Sequence, residues 1–265
     1  MVLSLLAIML GSPLAWMLST SLKLPHEVLV FPPQWIPDPP EWENYSRALD
    51  QMRFMHFLRN TLILTAGGML GVLFSSAVVG YGFARLRFPG RTFLFILVVA
   101  TMMLPPQVTI IPQFILFRHL GWINTFLPII VPAFLGQSAF SIFLMRQFFL
   151  SLPTEYEDAA RVDGANTYQI FWHVMLPLAK PGLLAVGIFS FMFYWNDFLQ
   201  PLIYLTSTRN WPLSLGLMLF NDRFAVPQWN LVMAASLMTI APCLLLFFFT
   251  QRYLTQGVVL GGRQG

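Results

Sequence analysis

The chain has 265 residues, 57% of them hydrophobic and only 10% charged, with a mean hydropathy of +0.67. An ordinary soluble domain carries about 25% charged residues, so this composition excludes that class and indicates a protein embedded in lipid. The net charge of +4 is scattered over loops and helix ends rather than gathered on a face or tail, which argues against nucleic acid as a partner.

Crossing a hydrocarbon core of about 30 Å takes about 20 apolar residues in a helix. Six segments meet this requirement: Val2 to Ser21, Thr61 to Ala84, Thr92 to Phe117, Thr125 to Phe149, Leu183 to Leu205 and Leu231 to Arg252. The expected fold is therefore all-α and polytopic. The first segment lacks a basic start and runs to spanning length before Lys23, so a retained helix is expected rather than a cleaved signal. Residues 23–60 form a proline- and tryptophan-rich loop, with Trp35, Trp42 and Tyr45 suited to the membrane interface.

The second span places Gly67, Gly71 and Ser75 at four-residue intervals. Small residues so spaced let helix backbones approach closely in lipid. Prolines interrupt spans three, four and six at Pro105, Pro106, Pro112, Pro128, Pro132 and Pro242. These predict bends or the lining of a pathway, although static kinks explain each one equally well. Between spans two and three, Arg85, Arg87 and Arg91 crowd a very short loop and assign that side to the cytoplasm. Residues 151–182 and the tail 253–265 then also face the cytoplasm, as do both termini, with 61–252 forming a five-helix core.

The loop at 151–182 is the one charge-rich segment between spans. Thr154 with Glu157 reads as a capping box for a short helix through Glu157, Asp158, Ala159, Ala160 and Arg161. Gly164 can stop it by turning the backbone left-handed. Asn166 with Gln169 reads as a second cap, leading a helix with Phe171 and Val174 on one side until Pro177. The small Ala159 and Ala160 flanked by charge suit a partner's groove. A solvated connector explains the same residues, and the two readings stay open on residue chemistry alone.

Catalytic and cofactor signals are absent from the sequence. His26-Glu27-Val28-Leu29-Val30 has Val30 where a zinc-protease helix requires its second histidine, so no metal site is expected. Neither Lys23 nor Lys180 completes a phosphate-cradling loop, so any ATP and magnesium must be bound by another chain. Cys243 stands alone in an apolar run and supports no disulfide framework. In span five, Asn196, Gln200 and Tyr204 share a four-residue stripe with Asp197 beside it, and Gln137, Ser138 and Ser141 lie on span four. A carboxylate at mid-membrane costs about 2.5 to 3.5 kcal/mol, so Asp197 should face the bundle interior, water or a partner helix. These residues suit a polar pathway, and interhelical hydrogen bonding suits them as well.

Asp158-Ala159-Ala160, then Gly164, then Val174-Met175-Leu176-Pro177 resembles the signature of binding-protein-dependent ABC importer permeases. That signature is Glu-Ala-Ala, three residues, Gly, nine residues, Ile, one residue and Leu-Pro. The intervals agree, with Asp158 for the glutamate and Val174 for the isoleucine. Tyr81-Gly82-Phe83-Ala84-Arg85-Leu86, Phe88-Pro89-Gly90, Asp163-Gly164-Ala165, Trp195-Asn196-Asp197 and Gln251-Arg252-Tyr253 narrow the resemblance to the smaller permease subunit of maltose-type carbohydrate importers. The tail Gly261-Gly262-Arg263-Gln264-Gly265 departs from the usual Gly-Ala-Val-Lys-Gly.

The resemblance implies no enzyme activity in this chain. It implies instead a second homologous permease, two cytoplasmic ATPase subunits, an extracytoplasmic solute-binding protein and a sugar substrate. The loop would be the coupling helix, with Glu157, Asp158, Ala159, Ala160, Asp163, Gly164, Ala165, Phe171, Leu176 and Pro177 meeting or shaping the ATPase contact. A secondary transporter or channel is the alternative, opposed by the coupling-like loop and by the lack of an obvious internal repeat. An intramembrane enzyme would need a second catalytic group near Asp197.

Overall fold

Helices account for the transmembrane architecture, and no strand occurs among the residues described, 2–222 and 228–261 of the computed structural model. In chain order they are α1 (Val2–Ser21), α2 (Glu43–Met52), α3 (Phe54–Arg85), α4 (Arg91–Thr101), α5 (Pro106–His119), α6 (Leu127–Phe134) and α7 (Ala139–Ser151). Then follow α8 (Glu155–Val162), α9 (Thr167–Leu178), α10 (Lys180–Asn196), α11 (Leu199–Tyr204), α12 (Leu213–Gly216), α13 (Leu219–Asp222) and α14 (Trp229–Gly261). Arg223 and the tail signature at Gly262, Arg263, Gln264 and Gly265 lie outside the described residues.

Among the described residues, four segments are long and apolar enough to cross a membrane alone, and six spans result if each of two bent helix pairs counts as one. The single third span expected over Thr92 to Phe117 is instead α4 and α5, bent by 98°. Pro105 and Pro106 lack backbone donors, so the α-helical ladder cannot run through them. The fourth span is interrupted between Phe134 and Ala139, with Gly136 at φ +84°. The fifth was expected to run unbroken from Leu183 to Leu205; α10 ends at Asn196, and α11 starts afresh at Leu199. The second begins earlier than Thr61: α3 has 32 residues, about 48 Å at 1.5 Å per residue.

Two compact units emerge, 1–61 with 211–248, and 62–210 with 249–265. In the first, the segment read as a loop contains α2, whose side chains fasten the end of α1. Asn44 is fully buried and its Nδ2 donates to the carbonyls of Ser21 and Lys23, both at 2.9 Å. Asn230 of α14 donates to Asn44 Oδ1 at 3.0 Å. Such pairing is needed because a buried amide without partners costs about 1 to 3 kcal/mol. Lys23 is also buried, its ammonium 4.2 Å from the Trp16 ring. Desolvation holds its pKa below the usual lysine value, with Glu27 acting in the opposite sense.

In the second unit the predicted small-residue stripe is a packing seam. Positions where Gly67 and Gly71 would carry a Cβ fall 2.8 Å from Ile130 and 2.7 Å from Phe134, and Ser75 Oγ donates to the Ala133 carbonyl at 2.7 Å. Gly80 continues the seam along α7, where a Cβ would lie 2.8 Å from Met145. Glycine here permits backbone approach, and α7 then packs on α4 and α10. Arg146 of α7 donates from Nε to the Phe83 carbonyl at 3.3 Å and lies 4.0 Å from the Phe95 ring centre.

Candidate coupling site

The loop folds as two short helices set by their own ends. Glu155, Glu157 and Asp158 occupy the first turn of α8 and Arg161 its last, charges that complement the helix dipole. Thr154 does not form the expected capping box: its side chain caps nothing. The Glu157 carboxylate that would have completed the box turns inward instead, 3.3 Å from Arg85 Nε and 3.5 Å from Arg161.

After Asp163 the chain reverses. Gly164 sits at φ +82°, its N–H donating to Arg161 at 3.0 Å and that of Ala165 to Ala160 at 2.9 Å. This pair of bonds satisfies two carbonyls at the α8 C-terminus, with the left-handed residue supplied by glycine. Asn166 and Gln169 form the expected box, each side chain accepting from the other's backbone N–H at 2.9 Å.

Pro177 does not end α9 as expected. The helix widens to a π-turn over Ile170–Met175 and continues to Leu178. Proline has no N–H to offer the preceding turn, and a π-bulge is one way to absorb that loss. The break comes at Ala179, where α9 and α10 meet at 74°.

One face of this unit is locked inward. Glu157 is 4% exposed, and Ile170, Phe171 and Met175 are buried with it. Phe171 packs against Tyr81 of α3 with the rings tilted by 45° and their centres 5.0 Å apart, and Tyr81 meets Phe149 of α7 edge-on at 5.5 Å. Arg85 closes the cluster: one Nη2 donates to the carbonyls of Phe149, at 2.7 Å, and of Leu152. Its guanidinium thus ties the end of α3 to the end of α7 and, through Glu157, to α8.

The other face is bare. The Asp158 side chain is 67% exposed and 3.7 Å from Arg161, and Val162 and Tyr168 are 88% and 70% exposed. Ala159, Asp163, Gly164 and Pro177 are exposed, while Ala160, Ala165 and Leu176 are half-buried. Glu157 and Phe171, expected among the ATPase-coupling residues, are buried and hold the unit to the helices. Sequence reading counted Arg85 as a topogenic charge and overlooked its partner. The available signal was an arginine closing one apolar span and an acidic residue opening the loop after another.

The proposed pathway residues do not form one stripe. Asn196 donates to the Met192 carbonyl of its own helix at 2.8 Å. Asp197 lies at the break, its Oδ1 accepting from the Gln200 N–H at 3.2 Å. Tyr204 is buried and its hydroxyl donates to Gln113 Oε1 at 3.3 Å. Ser141 is buried against Ser138 Oγ at 2.8 Å, whereas Gln137 is exposed at the break between α6 and α7. A four-residue stripe requires a continuous helix, and the break after Asn196 removes it.

Broken apolar spans and a capped helix pair locked onto their ends define a polytopic helical membrane protein of the permease class. Residues 54–259 match the family model described as the binding-protein-dependent transport system inner membrane component. The chain belongs to that family, and is a permease subunit of an ATP-binding-cassette importer.

It is 40% identical over 197 residues to the arabinooligosaccharides transport system permease protein of Halalkalibacterium halodurans, covering 74% of this chain and 69% of that one. It is 31% identical to the diacetylchitobiose uptake system permease protein of Streptomyces coelicolor, covering 94% and 82% respectively. A crystal structure of a bacterial ABC transporter involved in the import of the acidic polysaccharide alginate superposes with a TM-score of 0.84 at 26% identity, covering 95% of this chain and 93% of that one.

Proposed function

We propose that this subunit imports a sugar by alternating access and is driven through its α8–α9 unit. Two similar proteins are named for arabinooligosaccharides and diacetylchitobiose, which supports a saccharide as substrate. Neither lysine falls within a predicted span, which favours a neutral one. The assembly comprises this chain, a second homologous permease, two cytoplasmic ATPase subunits that bind ATP and magnesium, and an extracytoplasmic solute-binding protein. Both termini and the coupling loop are cytoplasmic.

The observation that carries the coupling reading is the division of labour between adjacent carboxylates. Asp158 points outward beside Ala159 and Val162, where an ATPase surface can engage it, and Glu157 points inward onto Arg85. Force applied to α8 is passed to α3 through a buried ion pair and the Tyr81–Phe171 ring contact, while Gly164 and the Asn166 cap hold the angle between the helices. Asn196, Asp197, Gln200 and Gln137 lie at or beside helix breaks, positions suited to a polar pathway. Tyr204 and Ser141 brace that region through Gln113 and Ser138.

The test is co-purification of the complete importer. Asp158→Ala removes a charge-assisted contact, so ATPase retention and sugar-dependent ATP hydrolysis should fall roughly tenfold or more. Gly164→Trp, bulky and strained at the turn, should abolish both. Wild-type retention and hydrolysis in both variants would overturn the reading.

A further inference from the structure

A second cytoplasmic feature is left unused by this mechanism. Arg87, Phe88, Gly90, Arg91, Thr92 and Phe93 line a shallow cavity of about 370 Å³ between the end of α3 and the start of α4. None of the six is acidic. The Arg91 side chain makes one hydrogen bond, to the Leu86 carbonyl at 3.1 Å, and the exposed Arg87 side chain has no hydrogen-bond or ionic partner among the described residues. Gly90, at φ +79°, precedes α4 with no side chain to cap its first amides, so the helix end adds to the positive field.

The cavity also has an apolar continuation. Phe93, Ile96 and Leu97 are exposed and lie at three- and four-residue spacing along α4, one stripe leading from the arginines into the span. Two cations at a helix end, with an apolar track beneath them, complement a negative headgroup with acyl chains attached. A freely soluble anion would use the arginines and leave the stripe without a role.

The geometry points to a binding site for an anionic phospholipid, with Arg87 and Arg91 on the phosphate and the α4 stripe along an acyl chain. It rests on the membrane orientation proposed above. Juxtamembrane cations contribute about 1 kcal/mol each towards anionic lipid, about fivefold per arginine.

Native mass spectrometry of the complete, detergent-purified importer tests the site with phosphatidylglycerol and phosphatidylcholine of matched chains. Phosphatidylglycerol should bind in preference, and Arg87→Gln/Arg91→Gln should weaken it on the order of twentyfold. Arg87→Lys/Arg91→Lys should retain most of the binding and shows that charge is what matters. Equal phosphatidylglycerol binding by the wild type and the glutamine variant overturns the proposal. So does displacement by millimolar inorganic phosphate, which marks a simple anion site, or release of lipid on removing the ATPase, which marks a protein contact. Because the readout is lipid binding, failure here leaves the coupling result standing, and the reverse also holds.

Discussion

Adjacent carboxylates at 157 and 158 have opposite roles because their surroundings differ. Glu157 and Arg85 are both nearly inaccessible, and breaking a buried pair by neutralising one member strands the other charge, at about 3 to 5 kcal/mol. Asp158 and Arg161 form an exposed pair, and such pairs contribute about 0 to 1 kcal/mol. Thermal unfolding of the purified permease should therefore be lowered by Glu157→Gln by about 3 kcal/mol and by Asp158→Asn by less than about 0.5 kcal/mol. Comparable losses from the two substitutions would contradict the assignment of a holding role to one and a docking role to the other.

Among the helices, α3 is the element on which the second unit is assembled. Its glycines are not equivalent. At Gly71 an added Cβ would lie 2.8 Å from Ala133 Cβ and 2.9 Å from the Phe134 amide nitrogen, whereas at Gly82 it would meet nothing within 4 Å. Gly71→Ala should cost about 1 to 3 kcal/mol through overpacking. Gly82→Ala should be neutral or slightly stabilising, since alanine is the better helix former by about 1 kcal/mol. Melting temperatures of the two variants in one detergent check this, and a destabilised Gly82→Ala would show that a neighbour packs there. The stripe at Gly67, Gly71 and Ser75 was legible as a seam because helical spacing is local; that its partner is α6, with α7 taking over at Gly80, was not.

For the whole chain, orientation decides which face meets which partner. In a Cys243→Ala background, Asp163→Cys should react with a membrane-impermeant maleimide only when the reagent reaches the cytoplasm, and Asp38→Cys should react from outside intact cells. The opposite labelling pattern would invert the arrangement and remove the coupling loop from the ATPase side.

Much of this molecule was readable from residue order: the apolar segments, the arginine-rich turn after α3, the Asn166–Gln169 cap, the reversal at Gly164 and the signature spacing from Asp158 to Pro177. Each depends on neighbours within a few turns, where composition and backbone preference act directly. Tertiary structure alone decided that Asp197 lies at a break and that Pro177 is carried through a π-turn. It also decided that Thr154 loses its capping partner to Arg85. A buried ion pair between groups far apart in the chain outweighed a local capping bond, and no local pattern records which distant charge a side chain will face.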